Sequence, residues 1–238
     1  MKRINVFSTT LVLAAGWLTA CGAGAPIRLH VDEFTMPISL DDTMNNVFAE
    51  LQAQGVFPAS SQSLPVLWPS SLPDVQYQGV FTTPPIPIDL NPPAGSPDAG
   101  KYGAINSVKD AIQRIEINRF ILRLEQNTMT AAVPAFDLQI ADDPDADPAD
   151  RFAWRTIGNL PAAPAGYVGD LELTFVPSGE SYLESQLSDQ AKSFALRVTG
   201  VISLDTTQSG RMPAGAATAR MILVATFYLK PDKLLEKL

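Results

Sequence analysis

Ten of the twenty prolines in this 238-residue chain fall between residues 58 and 98. Proline lacks the amide that a helix interior or a central strand needs. The segment must therefore cross the surface of a body built elsewhere, with pairing confined to a sheet edge. Its one interruption, Val75-Gln76-Tyr77-Gln78-Gly79-Val80-Phe81, is the candidate edge strand, and Asn91 to Gly100 is the expected flexible end.

The body reads as strands. Ile27-Arg28-Leu29-His30-Val31-Asp32 alternates apolar and polar residues, as a half-buried strand does. From about residue 112, Ile115 and Ile117 keep one phase while Phe120, Leu122 and Leu124 keep the other, a switch that a bulge near Asn118-Arg119 accommodates. Phe136, Leu138 and Ile140 continue the alternation, followed by Leu171, Leu173 and Phe175, and then by Phe194, Leu196, Val198, Ile202 and Leu204. The run from Arg220 to Leu229 is apolar on both phases, which fits a strand buried on both faces or covered by the proline-rich crossing.

Two short helices interrupt this pattern. Met44, Val47, Phe48 and Leu51 make an i, i+3, i+4, i+7 stripe across Asp42 to Gln54, with acidic residues at its start and Gly55 placed to end it. Ser181 and Glu184 have capping-box spacing ahead of Tyr182, Leu183, Leu187 and Ala191. The expected fold is mainly β: an immunoglobulin-like β-sandwich with two short helices and a Pro-rich extended segment. Its core is expected at 112–230. Residues 27–111 supply an N-terminal strand, a helix and the extension packed on that core, and 231–238 form a tail.

Composition excludes several functions. With 17 Lys+Arg against 25 Asp+Glu the net charge is −8, so the clustered cations that a nucleic-acid backbone requires are missing. One Cys and one His cannot build a structural zinc site, and a lone Cys forbids an internal disulfide. No Gly-x-Ser-x-Gly elbow occurs, and nothing marks a partner for His30, so neither an enzyme nor a cofactor is expected. Gly95 to Tyr102 imitates phosphate-loop spacing. However, Tyr102 replaces the magnesium-binding hydroxyl, Pro97 deletes an amide, and prolines precede the segment where a strand should be.

Other candidates are weighed against plainer accounts. His30 and Asp32, two apart on a strand, lack a third metal ligand. Asp143, Asp145 and Asp147 alternate as in a calcium loop, yet no glycine permits the tight turn and no Glu lies twelve positions after Asp143. A metal-free, extended and hydrated loop is expected over Asp142 to Asp150. Trp68, Tyr77 and Trp154 are candidates for a peptide- or glycan-binding patch, with Trp68 and Tyr77 as its partner surface; packing in the core or a loop is the simpler account of them. Glu116 and Glu125 fall on the outward strand phase, as surface charges do.

The N-terminus carries an address. Lys2 and Arg3 precede an apolar stretch from Val6 to Leu18, too short for the roughly 20 residues of a membrane span, so residues 1–20 read as a secretory signal. Leu18-Thr19-Ala20-Cys21 resembles the lipobox of bacterial lipoproteins. The resemblance implies a diacylglycerol on the Cys21 thiol, cleavage that leaves Cys21 first, and residues 21–26 as a lipidated tether. Loss of Lys2 and Arg3 then leaves 15 basic against 25 acidic residues, so the acyl chains must supply the affinity for the membrane, the one partner this implies. Gly22 stands where that family's inner-membrane retention signal has Asp, which implies the outer membrane of a diderm cell, facing the periplasm or the surface.

The body also resembles the WHy/LEA type 2 β-sandwich family. The shared pattern is Glu125 to Thr130 leading to Phe136, the proline-containing turn Leu160 to Gly166 before Leu171, the short helix Tyr182 to Leu187, and a strand Phe194 to Gly200. That resemblance implies a non-enzymatic, structural or stress-protective envelope protein. The alternative is an envelope module that binds a peptide, glycan or protein through the proline-rich crossing and its aromatics.

Overall fold

A computed structural model describes residues 25–58, 60–63, 65–89, 109–188, 193–207 and 212–230, with backbone alone for residues 25, 27–34 and 109. The signal segment 1–20, Cys21 and Gly22, the Gly95 to Tyr102 pattern, Ala191 and the tail 231–238 lie outside the described residues.

The chain order is β1 (Ala25–Ser39), α1 (Leu40–Ala53), β2 (Gln76–Thr82), β3 (Ile86–Asp89), β4 (Ile112–Asn127), β5 (Phe136–Ala141), β6 (Arg155–Leu160), β7 (Gly169–Glu172), β8 (Thr174–Phe175), α2 (Gly179–Ser188), β9 (Ser193–Asp205) and β10 (Ala216–Leu229). The first sheet has the order β1-β10-β4-β7. The second has β2-β9-β5-β6-β8, with β3 also paired to β9. All pairings are antiparallel. One hydrophobic cluster joins the sheets, with Leu122, Leu124, Ala219 and Leu229 from the first and Phe136, Leu138, Ile157 and Val198 from the second. The architecture is thus mainly β, an immunoglobulin-like sandwich of two antiparallel sheets with two short helices.

The phase switch in β4 is a bulge. Arg119 pairs with Val224 and Ile117 with Ala225, which leaves Asn118 unpaired. Asn118 and Arg119 are both exposed, while Ile115, Ile117, Phe120, Leu122 and Leu124 all face the core. β10 lies between β1 and β4, yet only one of its phases is buried. Ala217, Ala219, Met221, Ala225, Phe227 and Leu229 face the core, whereas on the other phase Ile222 alone is buried and Arg220, Val224, Thr226 and Tyr228 are half-buried. The strands of the proline-rich crossing pair with β9 in the second sheet instead of covering it. α1 ends as expected: Gly55 takes φ +76°, and the amide of Val56 reaches back to the Leu51 carbonyl at 2.9 Å. It begins two residues early, with Ser39 as N-cap accepting from the Asp42 amide at 3.1 Å.

Several expectations are corrected. Residues 27–111 do not pack on a finished sandwich. β1 forms an edge of the first sheet, and β2 and β3 both lie on the edge side of β9 in the second. Pro87 is tolerated in β3 because an edge strand leaves one side of its backbone without ladder partners. β6 was hidden by the small, polar residues Thr156, Gly158 and Asn159. Leu171 and Phe175 belong to different sheets, since the chain crosses between them at Leu173, which packs on Gly158 where a Cβ would stand 2.7 Å from Leu173 Cγ. β9 does not stop at Gly200 but continues to Asp205. The missing side chain at Gly200 makes room for the Phe136 ring. Ser181 caps nothing: α2 starts at Gly179, and Glu184 reaches across to accept from the Ile117 amide at 3.1 Å.

Candidate functional site

Three surfaces concentrate the polar chemistry and exposed apolar groups, and all are set by strand phase. The first lies on the face of β9 opposite the main core. There Ala195 and Arg197 are buried, and Ala195 joins Ala141, Ala146 and Trp154 in a second small cluster. Arg197 donates through Nε to Gln139 Oε1 at 2.8 Å and through Nη1 to the Pro148 carbonyl at 2.6 Å, and its guanidinium lies 4.0 Å from the centre of the Trp154 ring. Its charge is thus met by two neutral oxygens and an aromatic face, and burial lowers its pKa from the usual guanidinium value.

This arrangement holds the acidic loop. The loop is not extended, as expected, but folded in successive turns. Asp143, Asp147 and Asp150 each accept, through Oδ1, the amide two residues on, at 2.9, 2.8 and 2.9 Å. Carboxylate repulsion does not straighten it, because these local bonds and the burial of Ala146 and Trp154 bind it to the sheet. Asp143, Asp145 and Asp147 are not assembled as a cation site: among the described residues no group of three or more His, Cys, Asp or Glu could hold a metal ion. At the loop's start Asp142 accepts from the Tyr182 hydroxyl and, at 2.9 Å, from Gln186 Nε2, while Arg155 lies 4.3 Å over the Tyr182 ring. Burial, then the Asp142 bond, raises the Tyr182 pKa. Tyr182 is held neutral, as a hydrogen-bond donor, which is the opposite of an activated nucleophile.

The second surface is the outer face of the first sheet. Arg119 pairs with Glu172 at 3.0 Å, Arg123 with Asp170 at 2.6 Å, Arg220 with Glu125 at 2.8 Å and Arg114 with Glu116 at 3.5 Å. Glu116 and Glu125 keep their outward phase here, Glu125 paired across strands with Arg220 and Glu116 along its own strand with Arg114. Ile121 and Ile222, opposite each other in register, are buried between these pairs. Arg123 lowers the Asp170 pKa. Four guanidiniums, each matched to a carboxylate, leave no unbalanced positive face for phosphate.

The third surface surrounds α1. A groove of about 280 Å³ on one side is lined by Met44, Pro65, Val66, Thr130, Met212 and Pro213. A second, of about 420 Å³, lies between α1 and β2 and includes Pro37, Asn46, Val80 and Pro84. Exposed apolar groups rim both: Val66 and Leu67 on the crossing, and the cross-strand pair Val80 and Val201. The junction is firm, since the Gly215 amide donates to Asp41 Oδ1 at 2.8 Å and Leu40 N to the Gly215 carbonyl at 3.0 Å, with Gly215 at φ +98°.

The predicted partner residues are spent elsewhere. Trp68 is buried, stacks edge-on against Phe57 with ring centres 5.3 Å apart, and donates to the Pro73 carbonyl at 3.2 Å. Tyr77 packs at the margin of the same core and bonds Glu50, which raises its pKa. A tryptophan among prolines has few ways to hide except beneath the crossing itself, so the aromatics pin the crossing and do not advertise it. The run Pro65-Val66-Leu67, apolar yet flanked by proline, was the available signal for the exposed rim. His30 is opposite Val224 in register, and Asp32 falls in the irregularity between Val31 and Phe34.

Fold and site together define an antiparallel β-sandwich with a pinned acidic loop and an apolar-rimmed helix end. Neither a protein-family model nor a curated protein matches the chain. Among solved structures, a chain of the mud crab tombus-like virus determined by cryo-EM aligns over 100% of this chain and 98% of its own, with 9% identity and a TM-score of 0.33.

Proposed function

We propose that this chain is a lipid-anchored protein of the bacterial cell envelope, without catalytic activity, whose sandwich serves a structural or stress-protective role. The observation that carries the reading is the chain's single cysteine, Cys21, at the end of Leu18-Thr19-Ala20, four residues ahead of the first strand. A signal segment of 1–20 and Gly22 fit export to the outer membrane. The polar clusters fit the non-enzymatic part, because their charged groups are engaged in holding the loop and in cross-strand pairs.

Intact-mass measurement should show a diacylglyceryl modification on a chain beginning at Cys21, and Cys21→Ser should abolish membrane fractionation. A wild-type mass without acyl chains, or a mutant that still fractionates with membranes, overturns the reading. Val66 and Leu67, exposed beside the α1 groove, favour a second reading as an envelope binding module for a peptide or protein. Loss of a captured envelope partner on Val66→Asp or Leu67→Asp, against protection of a client enzyme through drying that these variants leave intact, separates the two.

A further inference from the structure

A strand at the edge of a sheet can recruit another chain, because one row of its amides and carbonyls has no ladder partner. Most edges of this sandwich are blunted. β1 carries Pro26 and Pro37 and a register irregularity between Val31 and Phe34. β7 is four residues long with Asp170 and Glu172 in ion pairs, β8 has two residues, and β3 contains Pro87. β2 is the exception. Its seven residues hold no proline and no charge, they pair with β9 in unbroken register, and β9 is their one strand partner among the described residues.

Two bonds fix the direction of its free groups. The Thr206 amide donates to the Val75 carbonyl at 3.1 Å, and the Thr83 amide donates to the Val198 carbonyl at 2.9 Å. Backbone direction alternates along a strand, so Tyr77, Gly79 and Phe81 also address β9, while Gln78, Val80 and Thr82 present their amides and carbonyls to the open side.

That side is the groove of about 420 Å³ between β2 and α1. Asp42 is the one charged residue in its lining. Asp41 accepts from Gly215 and Glu50 from Tyr77, whereas the exposed Asp42 carboxylate has no hydrogen bond or ion pair among the described residues, and α1 contains no Lys or Arg. On the other face of the edge Val80 is 73% exposed beside Val201 at 50%, an apolar pair that a neighbouring strand would cover. A second copy fits poorly here. Val47 of α1 lies 3.5 Å from where a Gly79 Cβ would stand, so pairing two β2 strands would bring two acidic helices together.

We propose that β2 takes an extended, basic segment of a partner protein as an added strand. Residues of that segment opposite Gln78, Val80 and Thr82 pair with the edge through their backbone and lay apolar side chains over Val80 and Val201; the alternate residues point into the groove, where a Lys or Arg meets Asp42. The proposal deepens the binding-module reading and rests on it.

The test measures fluorescence anisotropy of labelled Lys-Val-Lys-Val-Lys-Val-Lys with the purified full chain. The peptide should bind saturably, and Glu-Val-Glu-Val-Glu-Val-Glu should not. Val80→Pro removes an outward amide and no bond to β9, so it should weaken binding about tenfold with an unchanged circular dichroism spectrum. Asp42→Asn should weaken it roughly threefold. Should the proline variant misfold, the peptide carries the same test: methylation of its valine amides, which face β2, should abolish binding, and methylation of its lysine amides should not. No binding, equal binding of both peptides, or indifference to Val80→Pro and to valine methylation overturns strand addition. Binding lost in Val66→Asp but kept in Val80→Pro also overturns it, and leaves the binding-module reading standing on the other groove.

Discussion

Arg197 is buried against Trp154 with two neutral oxygens for company, and its removal should expose what it offsets. Arg197→Met keeps much of the volume but leaves Gln139 Oε1 and the Pro148 carbonyl without their donor, at an expected cost of about 2 kcal/mol. Urea unfolding should show a lower midpoint, and Trp154 emission should shift to the red as the loop loosens; an unchanged midpoint would count against the pinning role. Tyr182 gives a pH signature. Its folded pKa is raised above the unfolded value near 10, so the folded state binds the phenolic proton more tightly. Its contribution is complete below about pH 10 and fades as pH climbs through the folded pKa. Tyr182→Phe should therefore be less stable than wild type at neutral pH, with the gap closing in alkali. A gap that stays constant to high pH refutes the Asp142 bond as its source.

Among elements, α2 and the β4 bulge depend on each other. The bulge lets both halves of β4 keep their apolar residues inward, and Glu184 supplies the acceptor for the Ile117 amide beside it. Glu184→Ala should cost about 1 kcal/mol and speed hydrogen exchange at Ile117, whereas Glu184→Gln, whose amide oxygen still accepts, should retain most of both. Unchanged exchange in the alanine variant would contradict the link. The bulge was legible from the phase of five apolar residues. Glu184 was not, because the same Ser-x-x-Glu spacing serves a helix cap, and only the packing of α2 on β4 turns the carboxylate outward to another element.

On the scale of the whole molecule, the N-terminal third is part of the sandwich. β1 pairs with β10 and contributes the buried Met36 and Ile38, so a chain starting at Leu40 leaves one edge of β10 without its ladder partner and opens the core beside it. That truncation should lose its sheet signal in circular dichroism and aggregate; a soluble, sheet-rich product would show that the remaining strands suffice. The full chain should unfold in one transition, because the main core is shared by both sheets.

By itself, the sequence determined which residues form most strands and helices, which side of each strand faces inward, where β4 bulges, where α1 ends and that the crossing stays at an edge. These are local consequences of side-chain alternation, glycine and proline. Partnership was decided only in three dimensions. Period-two alternation states that a strand has a buried side but not which sheet it joins, so Leu171 and Phe175 looked like one strand and β1 to β3 looked like an appendage. The fate of polar groups was decided there too. Arg197, Asp143 and Trp68 have meanings set by neighbours far along the chain, because the free energy of burying a charge or an indole depends on what meets it there.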